Sequence, residues 1–397
     1  MDRSDETTGI GTSWGVVFAA LTMGVVAALH IGKVPPALPL IREELGLGLV
    51  GGGFVVSMFS GLGMLLGVLT GGIADRVGHR RTTLIGFLLL VAGGCMGASA
   101  TGLPGILTSR ALEGLGFMAV GVTMPGIVSA ASSAHDRPFA LGLWSVFTPL
   151  GFAIALLLTP MALTTVGWRT VWIGLTGLSL VTLLVLRPML PLTETAAPAV
   201  RRGFGQRLSD VLARPRLWLI AAAFGAYAFQ WVTVMAWLPT YLVDGLGFTL
   251  GAASAVTALI VVVNVPGNIG AGALMRAGWS PRRIIVIGSC AMGVTSAALF
   301  LGTGLGALAG IGLCLLFSVA GGGIPAALFA QIPQASPSPS HAGQANGMLM
   351  QGSATGQFLG PPLIGAAVAA SGGAWTGAVA PLVIAAVLTA LLARPMR

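Results

Sequence analysis

The stretch GLGMLLGVLTGGIADRVGHRRTTLIGFLLLVAGG, residues 61–94, places a short charged segment between two apolar runs. Across the whole chain, apolar types make up 55% of the residues, charged types 8%, and the mean hydropathy is +0.93. An ordinary soluble domain carries about 25% charged residues, so this chain has too few charges to cover a water-facing surface. The stretch therefore predicts two membrane-spanning helices joined by a charged loop, in a chain that is a membrane protein throughout.

Apolar runs of this kind recur along the chain and predict twelve membrane spans. Each is close to the roughly 20 residues that a helix needs to cross about 30 Å of hydrocarbon. No run alternates apolar and polar residues with a period of two, which argues against a β-barrel. We expect an all-α polytopic protein with spans at about 14–39, 49–74, 82–101, 103–131, 138–160, 169–190, 217–241, 251–275, 284–302, 305–330, 344–368 and 375–393.

The basic residues fall mainly in short clusters between these spans, on one side of the predicted membrane. Because positively charged loops stay in the cytoplasm, both termini are expected there, in the inner membrane of a bacterium. This distribution accounts for the net charge of +9 without a nucleic-acid partner. The polar opening 1–13 leads directly into the first span, so no cleavable signal peptide is expected. The expected partners are membrane lipid and a small solute, and the chain is expected to function as a monomer.

The longest polar interval divides the spans six and six, and the two halves repeat at an offset of 200 residues. A parallel repeat of this kind places a substrate path between two six-helix bundles. The matching pairs include Pro39 and Pro239, Arg76 and Arg276, Gly78 and Gly278, and Pro125 and Pro325. The predicted units are an N-terminal bundle over 1–190, a cytoplasmic central loop over 191–215 and a C-terminal bundle over 216–397.

Two motifs resemble those of a known family. GGIADRVGHRR, residues 71–81, resembles the signature between helices two and three of the major facilitator superfamily, and RALEGLG, residues 110–116, is similar to its helix-four motif. Membership would imply alternating access between two six-helix bundles. The resemblance also implies a gating role for Asp75, Arg76, Gly78, Arg80 and Arg81. The alternative is a simple basic cluster that sets orientation. Met275 stands at the repeat position of Asp75, so the second copy is expected to latch weakly.

Further segments resemble one branch of that superfamily, the cyanate and nitroimidazole permeases. That branch tends to carry a basic residue followed by proline near the outer end of helix one, where this chain has Lys33-Val34-Pro35. Lysine stands here where arginine is commoner, which leaves the substrate open. The other similar segments are GVTMPGIVSA at 121–130, ALGLWS at 140–145, MAWLPTYL at 235–242 and GMLMQGSATGQFLGPPLIG at 347–365.

Three basic side chains lie at similar depth in the spans of the first half. Lys33, the only lysine in the chain, precedes the expected outer boundary at Pro39 by six residues, or about 9 Å of helix. His30 shares its helical face, and Arg110 lies at comparable depth on helix four. A cation at mid-membrane costs about 3 kcal/mol on insertion scales, so it normally faces a cavity or a partner. We expect the three to bind a small anion; the alternative is that Lys33 snorkels to the outer headgroups.

Glu113 is the only acid within a predicted span and lies three residues after Arg110, on the same helical face. Two roles are open for it. It is either a proton-coupling carboxylate or a counter-ion that neutralises Arg110 and braces helix four. In both cases Lys33 has no evident partner of its own, which favours an anion-binding role for Lys33.

The second half supplies uncharged candidates for contact with the substrate. Gln230 is the repeat partner of His30, Trp237 lies in the same span as Gln230, and Gln351 lies in the eleventh span. We expect these three to contribute to substrate binding. Buried amides also serve as hydrogen bonds between helices, so a packing role is the alternative for each.

These features predict a secondary transporter that takes up or exchanges a small organic or inorganic anion, with a proton as the candidate coupling ion. Multidrug efflux by the same fold is the alternative, although helix one has no acid and helix five has no Gly-Pro pair; Gly360-Pro361 occurs in helix eleven. The sequence has no nucleophile–base pair, nucleotide loop or cluster of metal ligands, so we expect neither an enzyme nor a cofactor or metal site.

Overall fold

The computed structural model of the 397-residue chain describes residues 11–133, 135–190, 204–302, 306–338 and 341–396. Within these ranges, the side chains at 70–76, 138, 142, 145, 204, 207, 342 and 343 are outside the description. The described residues form helices and turns. Those of the first half are α1 (Trp14–Gly32), α2 (Val34–Glu44), α3 (Leu49–Val77), α4 (His79–Ala98), α5 (Leu103–Ala130), α6 (Arg137–Ser145) and α7 (Phe147–Leu186).

The second half continues the same architecture after the central segment. Its helices are α8 (Phe204–Leu212), α9 (Pro215–Leu246), α10 (Leu250–Arg276), α11 (Pro281–Leu301), α12 (Ala307–Phe329), α13 (Ile332–Ala335), α14 (Ala342–Ala370) and α15 (Val379–Leu392). The predicted central loop thus contains a short helix, α8, while 191–203 lie outside the described residues. The unit boundaries at 190 and 216 remain a prediction.

Ten described segments are long and apolar enough to cross a membrane. One of them, Phe147–Met189, has 43 residues and would extend about 65 Å as a single straight helix, twice the hydrocarbon thickness. Within it, Gly167 has φ 74° and ψ 167°, which are not helical angles. The segment is therefore two consecutive spans. Together with the 29-residue α14, this agrees with the predicted twelve.

The first span consists of α1 and α2, with Lys33 between them. Lys33 keeps helical angles, and its N–H donates to the carbonyl of Leu29 at 3.1 Å. Pro35 and Pro36 have no N–H, so the helical hydrogen bonds are interrupted at this point. The expected boundary at Pro39 is wrong, because α2 accommodates Pro39 and continues to Glu44. Lys33 consequently lies about 16 Å along the helix from its end at Glu44.

The helices form two bundles, and among the described residues three helix pairs make the main contacts between them. In the first bundle α1 packs on α7, and α5 packs on α3 and α4; in the second, α9 packs on α14 and α15, and α12 packs on α10 and α11. Between the bundles, α3 packs on α14, α7 on α10, and α2 on α9. The α3–α14 contact requires glycine: a Cβ at Gly53 would lie 2.5 Å from the Pro362 Cα, and one at Gly67 2.7 Å from the Gln351 Cβ.

The two ends of the bundles differ in charge. We call the end where the N–H of Ser13 donates to the carbonyl of Ala131 (2.8 Å) the basic face, because most arginines outside the spans lie there. The other end, at the turns of Gly46 and Gly247, is the opposite face. The first and seventh membrane spans meet toward the opposite face, where α2 packs on α9. In contrast, α1 packs on α5 and α7 of its own bundle.

Candidate functional site

Four side chains form a buried network in the first bundle, here called the charged cluster: His30, Lys33, Arg110 and Glu113. The Glu113 carboxylate is at its centre. Its Oε1 accepts a hydrogen bond from Lys33 Nζ at 2.5 Å and lies 2.9 Å from His30 Nδ1, and its Oε2 accepts from Arg110. None of the four side chains is more than 1% exposed. With Glu113 ionised and His30 neutral, the cluster holds two cations and one anion.

Helical spacing and a glycine position these groups. His30 and Lys33 are three residues apart at the end of α1, and Arg110 and Glu113 are three residues apart on α5, so each pair projects from one face. Gly93 on α4 allows α5 to approach closely: a Cβ there would lie 2.8 Å from Glu113 Cγ. The same approach brings Ser109 Oγ to the Gly93 carbonyl at 2.6 Å.

A second set of contacts ties the cluster to four helices. Arg110 donates to the carbonyls of Val55 on α3 (3.2 Å) and His30 on α1 (2.8 Å). On α7, Ser179 Oγ lies 2.9 Å from His30 Nε2, and the Trp172 ring centroid lies 4.1 Å from Lys33 Nζ. A cation over the face of tryptophan is a favourable contact.

The structure brings together all four charged or titratable residues that the sequence singles out within the spans of the first half, but in a different arrangement. The prediction that Lys33 has no partner is wrong, because Glu113 pairs with it as well as with Arg110. Snorkelling is wrong too, because Lys33 is fully buried. Trp172 and Ser179 were missed. They are seven residues apart in the second part of α7, so both lie on one face of that helix. This spacing is the only sequence signal for them.

In the second bundle, Gln230 and Thr233 occupy the repeat positions of His30 and Lys33. Gln230 is fully buried, and neither its amide oxygen nor its amide nitrogen has a hydrogen-bond partner among the residues that the structure describes. The Thr233 hydroxyl, 1% exposed, also has none within the described ranges. A buried polar group without a partner costs about 1–3 kcal/mol. These orphaned atoms are therefore available to a ligand or to water.

Trp237 and Gln351, also predicted to bind substrate, make other contacts. The Trp237 indole N–H donates to the Pro361 carbonyl at 3.0 Å, and its ring meets Trp375 with centroids 6.0 Å apart. Gln351 links the bundles: its Nε2 donates to the Met64 carbonyl at 2.8 Å, and its Oε1 accepts from the Val68 N–H at 3.3 Å. Both residues hold helices together in this conformation.

The predicted gating motif lies at the basic face, where α3 ends and α4 begins. The side chains of Asp75 and Arg76 are outside the described residues. Gly78 has φ 93°, and its repeat partner Gly278 has φ 89°, so both copies turn at a glycine with a positive φ, which favours glycine. Arg80 and Arg81 follow in the first turn of α4. Among the described residues, no three His, Cys, Asp or Glu side chains group as metal ligands.

The sequence model of the Major Facilitator Superfamily matches residues 12–361 of the chain. The chain belongs to the major facilitator superfamily. The predicted fold, two bundles of membrane-spanning helices, is thereby confirmed, and the family is one of transporters rather than enzymes. A solved superfamily structure agrees: an inward-facing, unoccupied bacterial homologue of the human lysosomal transporter Spinster superposes with a TM-score of 0.79 at 17% identity, covering 96% of this chain and 97% of that one.

Curated superfamily relatives differ in what they carry. The multidrug resistance protein Stp of Mycobacterium tuberculosis is 30% identical over 43% of this chain and 31% of its own length. The hexuronate transporter of Bacillus subtilis is 24% identical over 65% of this chain and 63% of its own. The probable sulfoacetate transporter SauU of Cupriavidus necator is 27% identical over 64% and 62%. The chain thus spans less than two thirds of these relatives' lengths.

Proposed function

We propose that the chain is a secondary active transporter of a small anionic solute, working by alternating access in uptake or exchange. The observation that carries this proposal is the charge of the cluster. In the part of the chain that the structure describes, Glu113 is the only acid that pairs with Lys33 and Arg110, and all three side chains are buried within the span region. With all three ionised, the cluster has one positive charge in excess. An uncompensated cation costs about 3 kcal/mol inside a membrane on insertion scales. A bound anion would remove that cost.

The Glu113 carboxylate occupies the position that a substrate anion would compete for. Protonation of Glu113 would leave Lys33 and Arg110 as two free cationic donors, and an anion could then replace the carboxylate. Proton binding and anion binding at the cluster would therefore favour each other, as symport of a proton with the solute requires. Because the cluster is closed in this conformation, the anion would reach it in another conformer of the transport cycle.

The second bundle would supply the neutral part of the site. Gln230 and Thr233 offer three hydrogen-bond donors, two amide N–H and one hydroxyl, and two acceptor oxygens that nothing in the described structure uses. We place them against the uncharged part of the solute, across from the charged cluster, as the repeat suggests. Trp237 and Gln351 would act through packing and through the contact between bundles.

Hexuronate and sulfoacetate are small anions, so the names of two relatives support the proposed substrate class. The segment Lys33-Val34-Pro35 is similar to that of cyanate and nitroimidazole permeases, but lysine stands where arginine is commoner, so this resemblance leaves the substrate open. We further propose that the chain lies in a bacterial inner membrane with both termini cytoplasmic, since the basic face carries most arginines. We also propose that the chain functions as a monomer.

The test is transport by the purified chain in proteoliposomes. Glucuronate, sulfoacetate, cyanate and nicotinate would be compared with the neutral sugars arabinose and galactose. Saturable uptake of an anion, faster with an inward proton gradient and lost in Lys33→Met, would support the proposal. Arg187→Ala removes an exposed cation outside both copies of the gating motif and is the matched control. Uptake of a neutral sugar with no anion uptake would overturn it.

Efflux of lipophilic drugs is the second candidate, favoured by the likeness to Stp. The same vesicles distinguish it, because efflux of a lipophilic cationic dye would continue in Lys33→Met. A buried pair of cations disfavours a cationic substrate at this site.

A further inference from the structure

A groove of about 920 Å³ runs along the outside of the second bundle, between α11 and α15, away from the charged cluster. Small residues form its deepest part. A Cβ at Gly293 would lie 2.9 Å from the Cβ of Ala386, so the two helices come close together there. The walls are larger apolar side chains that are 43–68% exposed, namely Ile287, Val294, Val387 and Leu391.

Three arginines, Arg282, Arg283 and Arg394, line the groove at its basic-face end. All three are exposed, and no guanidinium among them pairs with or donates to another residue in the part of the chain that the structure describes. Ser280, which caps the first turn of α11, lies beside them. Three unneutralised cations thus stand at the mouth of an apolar channel on a surface that faces the membrane.

We propose that this groove binds an anionic phospholipid, with an acyl chain along α11 and α15 and the phosphate on the three arginines. The walls are apolar and exposed within membrane-spanning helices, so acyl chains are their natural contact. Arginine matches phosphate geometrically and pairs with it through two parallel hydrogen bonds. Basic pockets between helices at the membrane surface bind anionic headgroups in this way.

The length of the groove fits one leaflet. From Arg283 to Ala297 the helix rises about 21 Å, which covers a headgroup phosphate and the roughly 15 Å of hydrocarbon in half a bilayer. Free phosphate would use only the arginines, and a zwitterionic lipid would bring a positive group against them. Charge and shape together therefore select a lipid with net negative charge.

The experiment measures lipid binding to the full-length purified chain. Native mass spectrometry detects the bound lipid, and thermal unfolding in detergent reports the stabilisation. Phosphatidylglycerol, phosphatidylcholine of the same chain length and inorganic phosphate are the probes. The variants are R282A/R283A/R394A, the groove-filling Ala390→Phe, and R187A/R214A/R276A, which removes the same charge from exposed arginines elsewhere on the basic face.

We expect phosphatidylglycerol to bind and stabilise the parent while phosphatidylcholine and inorganic phosphate do not. The triple groove variant should weaken phosphatidylglycerol binding about a hundredfold, since each juxtamembrane cation contributes roughly a factor of five. Ala390→Phe should also weaken it, and the control triple should not. Parent-like binding in either groove variant would overturn the proposal, as would equal binding of the two lipids. Ala390→Phe keeps all three arginines and decides the matter if the triple variant does not fold.

Discussion

Lys33 and Glu113 stand 80 positions apart in the sequence, and their Nζ and Oε1 atoms are 2.5 Å apart in the fully buried interior of the first bundle. Arg110 binds the other oxygen of the same carboxylate. One carboxylate therefore serves two cations, and the excess positive charge is the feature on which the proposed anion site depends.

Glu113→Gln should destabilise the protein because it leaves Lys33 and Arg110 buried together without an anion. Removing one partner of a buried ion pair costs about 3–5 kcal/mol. The matched control is Glu44→Gln, which removes a half-exposed acid that pairs with Arg169. Thermal unfolding in detergent should show a clearly lower midpoint for Glu113→Gln than for Glu44→Gln, partly restored by a saturating anion. Equal midpoints for the two variants would show that the cluster does not need its carboxylate.

Gly114→Ala should disturb the cluster through the backbone. A Cβ at Gly114 would lie 1.8 Å from the carbonyl oxygen of Phe59, so α5 and α3 would have to separate. Overpacking of this kind costs about 1–3 kcal/mol. Gly121→Ala, on the same helix with no atom within 4 Å of its Cβ, should be neutral or slightly stabilising. Comparison of the two unfolding midpoints checks the prediction, and equal values would contradict it.

Alternating access requires the α3–α14 contact to change. A cysteine pair at Gly63 and Ala354 should cross-link the bundles, because their Cβ atoms would be 3.2 Å apart, near disulfide distance. In a background without the three native cysteines, oxidation should stop transport and reduction should restore it. A pair at Gly86 and Ala119, 2.9 Å apart within the first bundle, is the control and should leave transport intact. Unchanged transport in the cross-linked α3–α14 protein would mean that this contact is static.

The proposed gate predicts that binding and transport can be separated at Asp75. Asp75→Asn should slow transport severalfold while leaving the dissociation constant of the solute unchanged, because the latch rather than the site is altered. Asp136→Asn changes an acid of the same face outside the motif and serves as the control. Radiolabelled uptake and equilibrium binding on the same preparations are the two measurements. Unimpaired uptake by Asp75→Asn would remove the motif from the gating mechanism.

Much of the fold follows from the sequence, because membrane spans depend on local composition and length. The spans, the bend between helices five and six, and the turn at Gly78 and Gly278 all rest on residues close together in the chain. The outer end of helix one was misjudged, since Pro39 ends many helices but is tolerated inside this one. Whether a helix continues through a proline depends on tertiary packing, which the sequence around the proline does not reveal.

The candidate site was predictable in its membership and unpredictable in its connections. A charge in a span is rare enough that His30, Lys33, Arg110 and Glu113 can be picked out singly. Spacing along one helix then pairs Glu113 with Arg110, but no local pattern shows that α1 packs beside α5 and brings Lys33 to the same carboxylate. The orphaned amide of Gln230 is likewise visible only once its neighbours are placed.

The most direct test of the account is the affinity of Lys33→Met for an anion that the parent binds. This variant keeps the unbranched side chain apart from its terminal ammonium and leaves Glu113 paired with Arg110, so the cluster becomes neutral without an orphaned charge. Isothermal titration with glucuronate or sulfoacetate should give a dissociation constant about ten- to a hundredfold above the parent's, the loss expected for one charge-assisted contact. The cluster of Glu113→Gln has two cations and no carboxylate, so this variant should bind the added anion at least as tightly as the parent does. A folded Lys33→Met protein with the parent's dissociation constant would contradict the central claim.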